Sequence, residues 1–297
     1  MCLAKLLFSI QDVIIKEMSS GYAVHQIMVL RGLVATPLVF VLIVFRGGLT
    51  LLQSNQIPLL LLRGALMFAS FSAFYLALSS IPLTVATVLF FSAPFFVTLL
   101  SIPILGESVD SRRWLGIVVG FCGVVIVIRP AASDLQLSML LPILAALMYA
   151  TAQILTRPAG VANNAMVITF YANICFTALG IVLAVVMSFI PVGENDTIIE
   201  QFLYRQWVLP EGGDIWLLLG TGITSALGFL FSTQAYRTSE VSMVAPFEYV
   251  MLVWITIISY LVWDELPDGV TILGAVIIVV ASLYILRGNK KSNTRRG

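Results

Sequence analysis

Glu248 is the most conspicuous chemical group in the chain, because it stands in an apolar stretch that contains Pro246 and runs on to Trp263. If that stretch crosses a membrane, an ionised carboxylate at its centre costs about 2.5 to 3.5 kcal/mol and requires a proton, a partner or a watery cavity. The proline frees a carbonyl one turn earlier, which persists in lipid only beside protein or cavity water. Glu248 is therefore expected to accept a proton or to face a cationic group. The alternative is a protonated structural acid bonded to a neighbouring helix.

Asp12 and Arg31 form a second candidate, because they lie symmetrically about the turn at Gly21 and Tyr22 (21 − 12 = 31 − 22 = 9). Two antiparallel helices joined by this turn would place both charges at a similar depth, toward the outer face. An ion pair between them would neutralise both charges. The spacing predicts either a gate at the outer end of a pathway or a static structural pair.

The remaining candidates are single side chains in apolar segments. Arg63 either meets an anionic solute group or extends to the membrane interface. Three amides are expected to line a cavity or to link helices by hydrogen bonds: Gln153, Asn173 and Gln234. Five aromatic residues are expected to stack on a ring or cover a cation, or simply to pack: Tyr75, Tyr149, Tyr171, Phe247 and Trp254.

Several classes of function find no support in the residues. The chain has no Gly-rich phosphate loop, one histidine and three cysteines without paired spacing, so no cofactor, metal or ATP site is expected. The net charge is +1 and no basic stripe lies outside the tail, which excludes nucleic-acid binding. A membrane-embedded enzyme or lipid-handling protein that uses Glu248 would need further acids, histidines or metal ligands at the same depth.

The elements that position these groups are membrane helices. The 297 residues are 60% hydrophobic and 10% charged, which is typical of a multipass membrane protein. Apolar segments long enough, or nearly so, to cross a bilayer recur along the whole chain and predict an all-α fold. Ten such segments are predicted: 2–16, 25–45, 58–79, 83–104, 113–129, 138–156, 166–190, 213–234, 241–263 and 269–286.

Orientation follows from the distribution of Lys and Arg between the two sets of connections. One set, with the tail, carries Arg46, Arg112, Arg113, Arg157, Arg237, Arg287, Lys290, Lys291, Arg295 and Arg296. The other set carries only Lys16, Arg129 and Arg205. Because cytoplasmic loops are enriched in basic residues, both termini are predicted to be cytoplasmic.

The chain also repeats itself. Glu107 matches Glu265, and Gly116 matches Gly274, at one spacing (265 − 107 = 274 − 116 = 158). Before the long acidic connection the spacing is 141 instead, and it relates Asp12 to Gln153. Each half therefore has five segments, and an odd number inverts the second half in the membrane. The predicted units are residues 1–130, residues 138–287 and a basic tail at 288–297.

Several local motifs carry a resemblance to a known family. They are Leu62-Arg63-Gly64, Ser80-Ile81-Pro82-Leu83, Ser92-Ala93-Pro94, Gly106-Glu107 before Trp114-Leu115-Gly116, Ala245-Pro246-Phe247-Glu248-Tyr249 and Asp264-Glu265-Leu266-Pro267-Asp268. On these residues the chain resembles the EamA family of the drug/metabolite transporter superfamily, which is built from paired five-helix units. Within it the chain looks most like S-adenosylmethionine uptake carriers. It departs from them at Glu248, where those carriers can have a basic residue.

The resemblance implies a secondary transporter in a bacterial cytoplasmic membrane that moves a small organic metabolite, amino-acid or nucleoside-derived, by alternating access. Coupling to protons or to an exchanged solute is expected from Glu248 and Asp12. A passive solute channel is the alternative. The other expected partners are membrane lipids and, if the glycines at 116, 120 and 123 form a contact between chains, a second copy.

Overall fold

The computed structural model describes residues 1–105, 111–128, 137–190, 193, 197–238 and 249–293, and their regular structure is helical. The helices are α1 (Cys2–Met18), α2 (Val24–Gly47), α3 (Ile57–Leu78), α4 (Leu83–Phe90), α5 (Ala93–Leu105), α6 (Ser111–Ile128), α7 (Leu140–Ala162), α8 (Ala165–Met187), α9 (Ile198–Tyr204), α10 (Asp214–Thr238), α11 (Val250–Trp263) and α12 (Gly269–Asn293). Two 3₁₀ turns, Leu49–Leu52 and Leu137–Met139, precede α3 and α7.

Six helical stretches in the described part of the chain are long and apolar enough to cross a membrane. They are Val24–Arg46, Ile57–Leu78, Leu83–Ile104, Leu137–Thr156, Ala165–Met187 and Asp214–Ala235, and shorter apolar helices lie at Trp114–Ile128, Val250–Trp263 and Gly269–Ala281. Large apolar side chains point outward from them, such as Leu33, Val182 and Leu261. An outward apolar surface is what lipid solvates, so the prediction of an all-α membrane protein is confirmed.

The predicted segment 83–104 is interrupted. The backbone leaves the α-helical pattern at Phe91 and Ser92, where the amide of Ser92 bonds to the carbonyl of Leu89 as in a tight turn. Pro94 explains the break, because its ring would clash with the carbonyl four residues earlier in a continuous helix. The chain therefore enters this region as α4 and leaves it as α5.

The two ends of the bundle are named here from α1. The amino-terminal face is the end where α1 begins; α3 also begins there and α7 ends there, as the hydrogen bond from Asn163 to Gln56 at 3.2 Å shows. The opposite face carries the turn between α1 and α2. It also carries the start of α10, because Tyr22 donates to Asp214 at 2.7 Å.

Helix packing follows a repeated pattern. α3 packs against α7 and α8, while α10, whose residues lie 158 further along (57 + 158 = 215), packs against α1 and α2. α5 packs on α7, and α11 packs on α1. Two pairs pack directly on each other, α2 with α8 and α6 with α12.

Glycines permit the close approach of α6 and α12. A Cβ on Gly274 would lie 3.0 Å from the carbonyl oxygen of Gly123, and a Cβ on Gly120 would overlap the ring of Phe95. Small residues at such crossings let helix backbones approach in membranes. These two α6 glycines therefore make packing contacts within the chain.

Candidate functional site

A partly open cavity lies among α1, α3, α4, α7, α10 and α11, and its empty space, including the solvent at its mouth, is ≈ 780 Å³. Its wall consists of Lys5, Phe8, Asp12, Arg63, Met67, Ser70, Phe71, Phe74, Thr87, Phe90, Tyr149, Gln153, Thr156, Phe229, Ser232, Thr233 and Met251. Four of the predicted site residues are in this wall: Asp12, Arg63, Tyr149 and Gln153. Asp12 and Gln153, which the 141-residue spacing relates, thus share one cavity.

Asp12 is a buried acid without a close partner. It lies about 15 Å along α1 from the start of the helix, and its residue is only 3% exposed. Among the described residues, no hydrogen bond or ion pair within 4 Å reaches its carboxylate. Arg31 and Lys5 act on it only electrostatically, from a greater distance. A carboxylate in this position requires a proton, cavity water or a cationic group, and Lys5 is a cation in the same cavity wall.

Arg63 is the second charged group whose position in the cavity is well defined. It is 3% exposed, and its Nε donates to the hydroxyl oxygen of Thr156 on α7 at 2.7 Å. Within the described part of the chain, neither of its Nη atoms makes a hydrogen bond or an ion pair. Arg63 is thus buried in the cavity wall and bonded to α7.

Two phenylalanines form the floor of the cavity. The ring centroids of Phe71 on α3 and Phe229 on α10 are 5.5 Å apart in an edge-to-face arrangement. The two residues are 158 positions apart (229 − 71 = 158). The same spacing relates Phe91 to Tyr249, whose rings are 5.1 Å apart. Residues 158 positions apart are therefore in ring contact at two places.

Arg31 lies behind this floor and does not pair with Asp12 as predicted. Its Nε donates to Ser225 at 2.8 Å and its Nη1 to the Tyr75 oxygen at 2.9 Å, whereas no ion pair within 4 Å joins it to Asp12. Three aromatic faces surround the guanidinium: Phe176 at 4.4 Å, Phe71 at 5.0 Å and Phe229 at 5.6 Å. Hydrogen bonds and ring quadrupoles thus replace the expected counter-ion at short range.

Tyr75 links Arg31 to α1. Its hydroxyl oxygen is 2.7 Å from Nε2 of Gln11 and 2.9 Å from Nη1 of Arg31. Two donors on one phenol would leave its own proton without an acceptor, and Oε1 of Gln11 is buried without a partner. Rotating the Gln11 amide by half a turn would let Tyr75 donate to Oε1, but it would leave Nε2 at the position without a partner. Gln11 and Arg31 therefore both donate to the Tyr75 hydroxyl oxygen, which joins α1, α2 and α3.

Side-chain contacts join α1, the α1–α2 turn, α10 and the end of α11 at the opposite face of the bundle. Lys16 forms an ion pair with Glu265 at 2.9 Å and lies 4.4 Å from the ring of Trp263. Tyr22 donates to Asp214, and this hydrogen bond raises the pKa of the Tyr22 phenol, so Tyr22 stays protonated and donating at neutral pH. These five residues are called the seal below. No residue of the seal is in the cavity wall.

The other predicted residues lie elsewhere. Asn173 is buried outside the cavity wall, and its Nδ2 has no hydrogen-bond partner in the described part of the chain. Gln234 is exposed on α10, and Trp254 is half-buried on α11, each away from the cavity. Glu248 and Phe247 lie outside the described residues.

Sequence reasoning missed several residues of the site. Lys5 could have been found, because it lies seven residues before Asp12 and therefore on the same helical face. Phe71 and Phe229 could also have been found from the sequence, because they are separated by the 158-residue spacing of the repeat. Ser225 gave no signal, since hydroxyl side chains are frequent in membrane helices.

Comparisons with known proteins agree with this architecture. The model of the EamA-like transporter family matches residues 1–129 and 136–287. A Rickettsia felis S-adenosylmethionine uptake transporter is 31% identical over 253 residues, which cover 85% of this chain and 80% of that protein. A Pseudomonas aeruginosa pseudopaline exporter is 29% identical over 289 residues, 97% of this chain and 95% of its own.

A solved crystal structure shares the fold. It has a TM-score of 0.65 and 15% identity, and the alignment covers 95% of this chain and 94% of that one. The relatives are named as transporters, so the chain is a multipass membrane transporter of small molecules and not an enzyme. The chain belongs to the EamA-like transporter family of the drug/metabolite transporter superfamily.

Proposed function

We propose that the chain carries a small organic metabolite across a bacterial cytoplasmic membrane by alternating access. The observation that supports this most is the asymmetry of the bundle. The cavity reaches Lys5, three residues after the start of α1, whereas Lys16 pairs with Glu265 at the opposite face. A solute site toward one end, with helices joined by contacts at the other end, is what one state of an alternating-access carrier would present.

Two inverted five-helix repeats are the scaffold of the proposal, with units at 1–130 and 138–287 and a basic tail at 288–297. The repeated packing of α3 and α10, and the contacts between matched residues such as Phe71 and Phe229, support a pseudo-two-fold axis through the centre of the cavity. Rocking of one repeat against the other would open the seal and narrow the amino-terminal side. With both termini in the cytoplasm, the cavity faces inward in the arrangement described.

The substrate is proposed to be amino-acid or nucleoside-derived, with S-adenosylmethionine as the first compound to test, because relatives that cover most of the chain are named for its uptake. Asp12 supports coupling, since an unpaired buried acid takes up either a proton or a cationic group. Glu248 is proposed for the same role from its sequence context alone. Exchange against a counter-substrate is the alternative to coupling with a proton.

Transport by the purified protein in proteoliposomes tests this function. Labelled S-adenosylmethionine, amino acids and riboflavin are offered outside, and initial rates are measured against concentration. We expect at least one compound to enter at a saturable rate that rises when the same unlabelled compound is loaded inside. Rates that grow linearly with concentration and ignore the internal solute would indicate a passive channel instead.

A further inference from the structure

We propose that the transported solute is amphoteric, with a cationic group that binds Asp12, an anionic group that binds Arg63 and a flat apolar part held between aromatic walls. The inference rests on the proposed transport function and adds the chemistry of its substrate. It starts from three buried charged groups in one cavity, the carboxylate of Asp12 and the cations of Lys5 and Arg63. Asp12 and Arg63 are not partners of each other.

The two charges are not placed to neutralise one another. An ion pair would bring a carboxylate oxygen within 4 Å of a guanidinium nitrogen, and none joins Asp12 to Arg63. Arg63 belongs to the cavity wall and is anchored by Nε to Thr156, and within the described residues its Nη atoms make no hydrogen bond or ion pair. Paired N–H groups of this kind match the two oxygens of a carboxylate. A solute with both charges would satisfy both residues at once.

Other polar groups of the wall are already engaged by the protein. The hydroxyl of Ser70 donates to the carbonyl of Ala145 at 2.8 Å, and that of Thr87 donates to Leu83 at 2.8 Å. The hydroxyl of Thr156 donates to a carbonyl of its own helix while it accepts from Arg63. These three hydroxyl groups therefore have no free proton to donate to a solute. Selectivity between solutes is then expected to depend mainly on the charged groups of the wall.

The remaining wall is aromatic and suits a planar ring. Phe8 packs edge-to-face on Phe229 at 5.3 Å, and Phe90 packs in the same way on Tyr149 at 5.3 Å. All four rings belong to the cavity wall, and pockets lined mainly by aromatic and apolar side chains with a few polar groups are typical of small-molecule sites. A ring inserted between such walls gains stacking contacts that tolerate different ring chemistries.

Three adenosyl compounds that differ in their charged groups test the contribution of each charge to binding. S-adenosylmethionine carries cationic groups and a carboxylate, its decarboxylated form keeps only the cations, and the desamino thioether analogue keeps only the carboxylate. Binding is read from thermal stabilisation of the detergent-purified protein, and transport is read by competition in proteoliposomes. We expect the amphoteric compound to bind the parent protein at least tenfold more tightly than either single-charge analogue.

The variants assign each charge. Arg63→Gln should lower the ratio of affinities for S-adenosylmethionine and its decarboxylated form by at least tenfold. Asp12→Asn should lower the ratio of affinities for S-adenosylmethionine and the carboxylate-only analogue by at least tenfold. Arg63→Lys should restore part of the carboxylate preference and serves if the Gln variant does not fold. Arg46→Gln and Asp264→Asn, exposed matched changes outside the cavity, should leave all three affinities unchanged.

Two outcomes would overturn the inference while transport stands. The first is equal binding of all three compounds to the parent protein. The second is an unchanged preference in both Arg63→Gln and Asp12→Asn. A parent protein that shows the predicted binding order but moves none of the compounds would instead contradict the proposed transport function and leave the charge assignment supported.

Discussion

Arg31 donates to the Tyr75 hydroxyl oxygen at 2.9 Å, and this bond joins α2 to α3 directly behind the aromatic floor of the cavity. The second bond of Arg31, to Ser225, adds α10 to the same junction. One guanidinium thus joins α2, α3 and α10. In the proposed transport cycle this junction would have to part to open a path to the opposite face, and Arg31 would then set the stability of the arrangement described.

A double-mutant cycle distinguishes the observed partner of Arg31 from the predicted one. Tyr75→Phe should lower the free energy of unfolding by about 1 to 3 kcal/mol, because it leaves buried donors unpaired. Combined with Arg31→Met, it should show a coupling of about 0.5 kcal/mol or more, as expected for residues in contact. The measurement is reversible denaturation in detergent micelles.

Asp12→Asn combined with Arg31→Met is the matched cycle. Its coupling should be smaller than that of Tyr75 with Arg31, since no ion pair joins Asp12 to Arg31. A larger coupling energy between Asp12 and Arg31 than between Tyr75 and Arg31 would contradict the hydrogen bonds described. It would support an ion pair between Asp12 and Arg31 instead.

The seal predicts that transport can be locked. With Cys2, Cys122 and Cys175 replaced by serine or alanine, Lys16→Cys with Glu265→Cys should be joined by a short bifunctional thiol reagent. The link should abolish transport, because the opposite face can no longer open, and a reducible reagent should allow recovery. The ion pair itself is partly exposed and contributes at most about 1 kcal/mol, so Lys16→Gln alone should leave the protein folded. Full transport by the cross-linked protein would show that these residues do not part during the cycle.

Topology gives an independent prediction. Asn55 lies between α2 and α3, and Gln206 lies in the matching connection of the second half, between α8 and α10; both are exposed. Single cysteines at the two positions should react with impermeant reagents from opposite sides of the membrane, since the second repeat is proposed to be inverted. Reaction of both cysteines from the same side would contradict the proposed inverted repeat.

Glu248 has its own test. Glu248→Gln should preserve folding, because an amide and a protonated acid are similar in size and both can donate a hydrogen bond. Transport should fall sharply and lose its dependence on pH if this carboxylate takes up the proton or pairs with a cationic group. Glu248→Asp should keep partial activity. A Gln variant with the parent rate and the parent pH profile would show that Glu248 is structural, and attention would shift to Asp12.

The sequence predicts the helices well but not the partners of their charges. Hydrophobic length and the Gly21-Tyr22 turn were sufficient for α1 and α2, because local apolar content decides whether a segment enters a bilayer. The break at Phe91 was missed, although Pro94 was a local signal for it. Arg31 was paired with the nearest acid by depth, while its actual partners come from α3 and α10, and such long-range choices depend on packing that no local pattern contains.

Side-specific labelling of a cavity cysteine tests alternating access most directly. Thr233→Cys, in a background without the native cysteines, lies in the cavity wall. In oriented vesicles it should react with an impermeant reagent only from the amino-terminal face when the substrate is absent. Reactivity from the other face should appear when Lys16→Gln and Glu265→Gln weaken the seal. Equal reactivity from both faces with the seal residues intact would contradict the carrier and indicate a continuous pore.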